Sequence, residues 1–275
     1  LKHLILLACI LIFSLSLVGC SFNTIQNNQT IIVTPALKND LCIPLPGMSF
    51  QIQFSGELDL DVEADIFDLD AFDTEPAVIQ QLHQQGKYVI CYINAGAVED
   101  WRTDAHLYPP DIVGKSYQGW TGEHWVDIRD QEALAPILEA RLDLCQSKGF
   151  DGVEFDNVDG HQNETGFDLT ASDQLKFSRW LADAAHKRSL AAGLKNNPDQ
   201  IGELEPWYDF LILESCFNQG WCNQAKPFIE AKKTVFVIEY SNIDNYCAIA
   251  KDNSITLLQK NLELNARRST CTDKN

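Results

Sequence analysis

The 275-residue chain lacks the motifs of most cofactor-dependent and serine-nucleophile enzymes. No Gly-rich phosphate loop follows its first strand-like segment, which removes the usual mark of a dinucleotide-binding sheet. Neither a Walker loop nor an H-E-x-x-H pair occurs, so nucleotide hydrolysis and zinc-peptidase chemistry have nothing to rest on. No G-x-S-x-G elbow presents a serine. Nine cysteines are present, but no two are spaced C-x-x-C, which disfavours a zinc site. Asp156, Asp159 and His161 are the best metal-ligand set, and their spacing matches no strong motif. No metal and no cofactor is implied. Basic residues are scarce: 21 Lys+Arg face 39 Asp+Glu, a net charge of −18. Such a surface repels nucleic acid and anionic membrane. It suits a cationic partner, such as a polymer carrying free amines, although acidity also simply aids solubility.

The N-terminus has a basic start (Lys2, His3) and an apolar run from Leu4 to Leu17, too short for a comfortable transmembrane helix. The run ends in Leu17-Val18-Gly19-Cys20, which resembles the lipobox of bacterial lipoproteins. The expectation is a lipoprotein-type signal peptide over 1–19, lipidation at Cys20, and a polar tether over 20–40. The alternative is an ordinary cleaved signal with an incidental cysteine. The protein is expected in the bacterial cell envelope, at the outer membrane or cell surface, or else secreted. Its lipid anchor would be the membrane contact. Residues 41–275 are expected to form one domain, a monomer. Export permits disulfides. Cys91 and Cys145 sit in apolar periodic segments and read as buried thiols. Cys216, Cys222, Cys247 and Cys271 are the better disulfide candidates. With Cys42 they make seven, an odd number that leaves at least one thiol free.

Apolar runs and amphipathic stretches alternate along this domain. Strands are predicted at Phe50–Phe54, Ile66–Leu69, Tyr88–Ile93, Gly152–Phe155, Leu190–Leu194, Phe210–Leu213, Thr234–Ile238 and Ser254–Leu258. Helices are predicted at Asp73–Gln85, with Thr74 as cap and Pro76 in the first turn, at Gln131–Ser147, and at Ser172–Lys187. Leu134, Ile137, Leu138, Leu142 and Cys145 share one helix face, and Leu175, Trp180, Leu181, Ala184 and Ala185 another. Strand–helix alternation implies a parallel sheet. Eight such strands in one domain imply an α/β protein of the (β/α)8 TIM-barrel type, with an open doubly wound sheet as the alternative.

In such a barrel the chemistry sits at the C-terminal ends of the strands. There the sequence places Asn94, Glu99, Asp100, Trp101 and Arg102 after the third strand. Glu154, Asp156, Asn157 and Asp159 follow on the fourth, then Lys195 and Asn196, Glu214, and Glu239 with Tyr240. Two carboxylates on different strands can divide the work on a glycosidic bond: one protonates the leaving oxygen, the other attacks carbon or activates water. Trp101, Trp120, Trp125 and Tyr240 can stack on sugar faces. Each also has a plain structural use, as a helix cap, a core residue or an ion-pair partner.

Several blocks are similar to one known family. Tyr92–Arg102 (YINAGAVEDWR) resembles Y-I-S-x-G-x-x-E-D-W-R, and Gly119–Arg129 (GWTGEHWVDIR) resembles G-W-x-G-E-x-W-x-D-I-R. Lys148–Asp159 (KGFDGVEFDNVD) resembles K-G-F-D-G-V-E-P-D-N-V-D. Gly193–Asn196 resembles G-L-K-N. Glu214-Ser215-Cys216-Phe217, Cys222, Pro227–Ile229 and Glu239-Tyr240 resemble E-Q-C-F, C, P-F-I and E-Y. On these blocks the chain is identified as a member of glycoside hydrolase family 114, the endo-α-1,4-polygalactosaminidase family. The resemblance implies a (β/α)8 barrel, an exported enzyme cutting α-1,4-linked galactosamine polymers such as those of biofilm matrix, and catalytic carboxylates at Asp156 and Glu214. Glu154 and Asp156, two apart on a strand, face the same side, and Asp156 lies nearer the rim. The expected reaction is retaining, with Asp156 as nucleophile and Glu214 as acid/base or the two roles reversed, and a carboxylate separation near ~5 Å distinguishes retention from the ~8 Å of inversion. Asn94, Glu99, Asp100, Trp101, Arg102, Trp125, Glu154, Asn157, Asp159, Lys195, Asn196, Glu239 and Tyr240 are the expected substrate-binding set. The family pattern is broken at Phe155, where proline is usual, and at Leu213 and Ser215, where amides flank the glutamate. These departures leave open a barrel hydrolase of another glycan, or a surface lipoprotein that binds polysaccharide without cleaving it.

Overall fold

A computed structural model describes residues 36–38 and 41–272. The expected signal peptide, the lipidation at Cys20 and most of the tether lie outside the described residues. Ala36–Lys38, within the expected tether, pairs antiparallel with Leu41–Ile43.

Eight strands form the body: β1 (Phe50–Gln53), β2 (Ile66–Asp70), β3 (Tyr88–Asn94), β4 (Gly152–Asp156), β5 (Ala191–Lys195), β6 (Phe210–Glu214), β7 (Thr234–Glu239) and β8 (Ile255–Gln259). They run parallel and lie side by side in chain order, the arrangement of a (β/α)8 barrel. The first and last strands meet through side chains. Lys260 Nζ, just after β8, donates to Gln51 Oε1 (3.2 Å), and Thr256 Oγ1 donates to the Met48 carbonyl (3.0 Å), while Phe50 reaches Phe236 of β7 with ring centroids 4.3 Å apart. Near-continuous burial along β2 to β7 follows from this layout, since helices cover the outside and side chains fill the inside. Gly193 is small for that reason: a Cβ there would sit 2.2 Å from the Phe210 ring.

The helices follow the pattern of their apolar residues. α1 (Pro76–Gln84) begins with Pro76 in its first turn. Thr74 does not cap it. The N-cap is Glu75, without a side-chain bond, because Thr74 is tied down by its own backbone: its N–H donates to the Asp70 carbonyl and its carbonyl accepts from Lys148 Nζ. α2 (Gln131–Lys148) is capped by Asp130, which accepts from the Ala133 N–H (3.0 Å), and ends at Gly149 in the left-handed region. Its five expected apolar residues are buried, and Arg141 is buried with them. α3 (Ala171–His186) starts with a Thr170–Asp173 capping box. Leu181, Ala184 and Ala185 face inward as expected. Leu175 and Trp180 are only half-buried, and Phe177 takes the inner position. Shorter helical turns follow β5 to β7.

Two cysteine expectations are corrected. Cys91 on β3 and Cys145 on α2 are not buried thiols but a disulfide joining strand to helix. Cys216–Cys222 and Cys247–Cys271 are bonded too. Cys42 is also disulfide-bonded, so none of the seven cysteines from Cys42 onward stays a free thiol.

Candidate active site

Three strands end in the same way. Asp156 closes β4, Lys195 closes β5 and Glu214 closes β6. The residue after each, Asn157 (φ 60°), Asn196 (φ 47°) and Ser215 (φ 56°), turns through the left-handed region. Asn tolerates that conformation better than most residues. The turn stops each strand at one level and leaves the preceding side chain on the rim. Neighbouring ends then lock together: Asn196 Oδ1 accepts from the Glu214 N–H (2.9 Å), and the Asp156 carbonyl accepts from the Ala95 and Gly96 N–H groups (3.1 and 3.2 Å).

Lys195 is the hub of the rim. Its buried Nζ lies 2.7 Å from Glu154 Oε1, 3.2 Å from Asp156 Oδ1 and 3.3 Å from Glu214 Oε2. Burial alone depresses this ammonium, but Asp156, Glu154 and Glu214 outweigh burial and hold it well above the usual lysine range. Each rim carboxylate gains a phenol on its far side. Tyr92 donates to Asp156 Oδ2 (3.0 Å), and Tyr240 donates to Glu214 Oε1. Burial, reinforced by these carboxylates, pushes both phenols well up, so they act as donors and not as bases. Beneath the hub, Asp68 is wholly buried and meets no N–H or O–H donor. Burial and then Glu154 raise it well above the ordinary carboxyl range.

A second cluster stands beside the first. Arg102 forks between Asp70 (Nη1–Oδ1 3.0 Å) and Glu99 (Nε–Oε2 2.9 Å). Residues 97–126 form an antiparallel sheet of Ala97–Glu99, Val113–Ser116 and Glu123–Val126, and Glu99 sits directly opposite Glu123. Glu123 Oε2 accepts from Asn94 Nδ2 (3.2 Å) and Asn157 Nδ2 (3.4 Å). Burial, then Glu99 and Asp156, push Glu123 up to about 7. Burial and Asp156 likewise push Asp159 up to about 6.

These groups line a cleft of about 380 Å³. It contains Asp156, Glu214, Lys195, Asn196, Asn157, Asp159 and Tyr240 of the expected set, together with Glu99, Trp101 and Arg102. A second cavity adjoins it, sharing Asp159, Asn196, Glu214, Tyr240 and Leu262, so open space extends on both sides of Glu214. The remaining expected residues stand elsewhere. Glu154 lies one layer below the rim, where it meets Lys195 and not the cleft. Asn94 is buried and braces the antiparallel excursion through Ala97 N–H (2.9 Å). Trp125 is buried behind Tyr117, with ring centroids 4.8 Å apart. Asp100 is exposed at a turn, its N–H on the Gly122 carbonyl (2.9 Å). Glu239 is turned away and fully buried. Its Oε1 accepts from the Phe217 N–H (2.8 Å), because the chain after β6 folds back over it. Cys216, Cys222 and Glu239 are close enough to share a cation, but both sulfurs are committed to their disulfide. The sequence reading missed Tyr92, Tyr117, Glu123, Asp70 and Asp73 as cleft residues. Tyr92 and Asp70 had a signal: each falls two residues from another polar inward residue, on the same strand face.

A (β/α)8 barrel with paired carboxylates on its C-terminal rim has the layout of a glycoside hydrolase. The chain belongs to glycoside hydrolase family GH114, whose family model matches residues 32–275. It is similar to Ega3 of Aspergillus fumigatus, solved in complex with galactosamine: 33% identity, TM-score 0.80, covering 86% of this chain and 99% of that one. The glycoside hydrolase domain of PelA from Pseudomonas aeruginosa shares the fold at 14% identity, TM-score 0.65, over 81% of this chain and 98% of that one. An uncharacterized protein of Deinococcus radiodurans is 26% identical over 244 residues, covering 78% of each chain.

Proposed function

We propose that this glycoside hydrolase is an endo-enzyme cutting α-1,4-linked galactosamine polymers, with Asp156 and Glu214 as its catalytic pair. The observation that carries this is Lys195 Nζ, held between one oxygen of Asp156 (3.2 Å) and one of Glu214 (3.3 Å). The two oxygens can be no further apart than those distances laid end to end, and any bend at the nitrogen brings them closer. That favours the ~5 Å separation of retaining enzymes over the ~8 Å of inverting ones. Asp156, held by Tyr92 and Lys195, attacks the anomeric carbon. The C1–Oδ bond forms as the glycosidic C1–O bond breaks, and Glu214 gives its proton to the departing oxygen. Water then attacks C1, Glu214 takes its proton, and Asp156 is released. The galactosamine bound to Ega3 supports the sugar, and the net charge of −18 suits a cationic polymer. Open space on both sides of Glu214 supports cutting within a chain.

The same reading places the protein outside the cytoplasm as a monomer, lipid-anchored at Cys20 or secreted. Seven disulfide-bonded cysteines support an oxidising compartment. Reducing-end release from partly deacetylated α-1,4-galactosamine polymer tests the activity. Asp156→Asn and Glu214→Gln are each expected to lower turnover at least ~1,000-fold with melting temperature unchanged. Full activity in either variant removes that residue from the pair. No release from any amino-sugar polymer removes the substrate.

A further inference from the structure

The carboxylates of the main cleft are unequally satisfied. Asp156 and Glu214 share Lys195, and Asp70 and Glu99 share Arg102. Glu123 pairs with no cation among the described residues. Its Oε2 is fixed by the two amides of Asn94 and Asn157, while its residue lines the cleft that holds Asp156. Asp159 also has no cationic partner, but it borders both cavities, whereas Glu123 belongs to the first alone. Glu123 is 93% buried, so it is placed by the fold and is not a loose surface acid. Trp101 and Trp120 rise beside it on the same antiparallel excursion, both about half exposed and both lining the cleft. A large exposed aromatic next to a fixed carboxylate presents an apolar face for a sugar ring and an acceptor for a positive substituent.

We propose that Glu123 is the specificity residue of the cleft, accepting the 2-ammonium of an amino sugar stacked on the Trp101–Trp120 lip. The proposal rests on the galactosamine-polymer reading and adds the group that distinguishes a free amine from an N-acetylated one. An acetamide carries no charge, and its donor is a single N–H. An ammonium brings three donors and the positive charge that Glu123 lacks. The surroundings agree. Glu99 and Asp156 are the carboxylates facing Glu123, Asn94 and Asn157 are its neutral partners, and Arg102 is held by Asp70 and Glu99. An arriving ammonium therefore meets a carboxyl group that no resident cation already pairs.

The test is calorimetry with an α-1,4-galactosamine tetramer and its fully N-acetylated counterpart. Both are measured on Asp156→Asn protein, to block turnover, with and without Glu123→Gln. The glutamine keeps one oxygen for Asn94 and Asn157 and replaces the other with an uncharged amide nitrogen. The expected result is a ~10- to 100-fold weaker Kd for the amine tetramer, an unchanged Kd for the acetylated one, and an unchanged melting temperature. Equal weakening of both ligands, or of neither, overturns the proposal. Because the readout is binding, it is decided separately from catalysis. A wild-type enzyme that cuts no galactosamine polymer while Glu123→Gln still loses amine affinity refutes the catalytic reading and leaves this one standing.

Discussion

Lys195 shows how one residue sets the character of the rim. Three carboxylates converge on its nitrogen, and a fourth, Asp68, lies buried beneath them with its carboxyl raised well above the ordinary range. Because its pKa is raised, its stabilising effect is complete below the ordinary lysine value and is lost only as pH rises through the higher folded one. It is thus fully present at neutral pH, where the carboxylates that raise it carry charge. Lys195→Met leaves Glu154 buried without a cation and brings Asp156 and Glu214 into unrelieved repulsion. The expected loss is about 3–5 kcal/mol by denaturant melts at pH 7. The acid limb of the activity profile is expected to move to higher pH, since proton uptake relieves the repulsion. An unchanged profile in a folded variant removes Lys195 from control of the pair. Lys195, Asp156 and Glu214 were legible in the sequence because each directly follows an apolar run, and strand ends face the rim. Glu154 was assigned to substrate because same-face spacing fixes direction along a strand but not depth below the rim.

At the scale of elements, the excursion over residues 97–126 does what the parallel barrel does not. It closes one side of the cleft and supplies Glu99, Trp101, Trp120 and Glu123. Its attachment is the turn after β3, where Gly96 approaches the end of β4 so closely that a Cβ would sit 1.7 Å from the Asn157 carbonyl oxygen. The same glycine's carbonyl accepts from the Val126 N–H (3.1 Å), tying the far end of the excursion back to its start. Gly96→Ala is expected to push the excursion off β4. Stability should fall by about 1–3 kcal/mol and activity by at least ~10-fold, checked by thermal melts and turnover on one preparation. Wild-type values for both would show that the close approach is not needed. The short strands of this excursion escaped the sequence reading because their burial comes from docking on barrel ends and leaves little two-residue alternation. Arg102 was legible as a charged residue in a resembling block. Its fork to Asp70, 32 residues earlier, was not.

Across the whole molecule, the Cys91–Cys145 disulfide ties the third strand to the helix packed over it, closing a 54-residue separation. A closed loop of that length is worth about 4 kcal/mol in the chain-entropy account. The double variant Cys91→Ala/Cys145→Ala is therefore expected to lose about 2–4 kcal/mol in oxidising buffer while keeping its turnover number below its melting temperature. A loss under ~0.5 kcal/mol would show that the two sulfurs merely pack. The eight strands, the three long helices and their order were all readable from the chain. They depend on local period, capping residues and breakers, which act within a few residues. That Asp156 and Glu214 close strand ends on one rim was readable too, through the apolar runs they follow. Which carboxylates share a cation, which are left without, that Glu239 is buried away from the cleft, and that two apolar-segment cysteines are joined depended on how the sheet curls. Those facts are distances between residues tens of positions apart, and only the curvature of the sheet sets them.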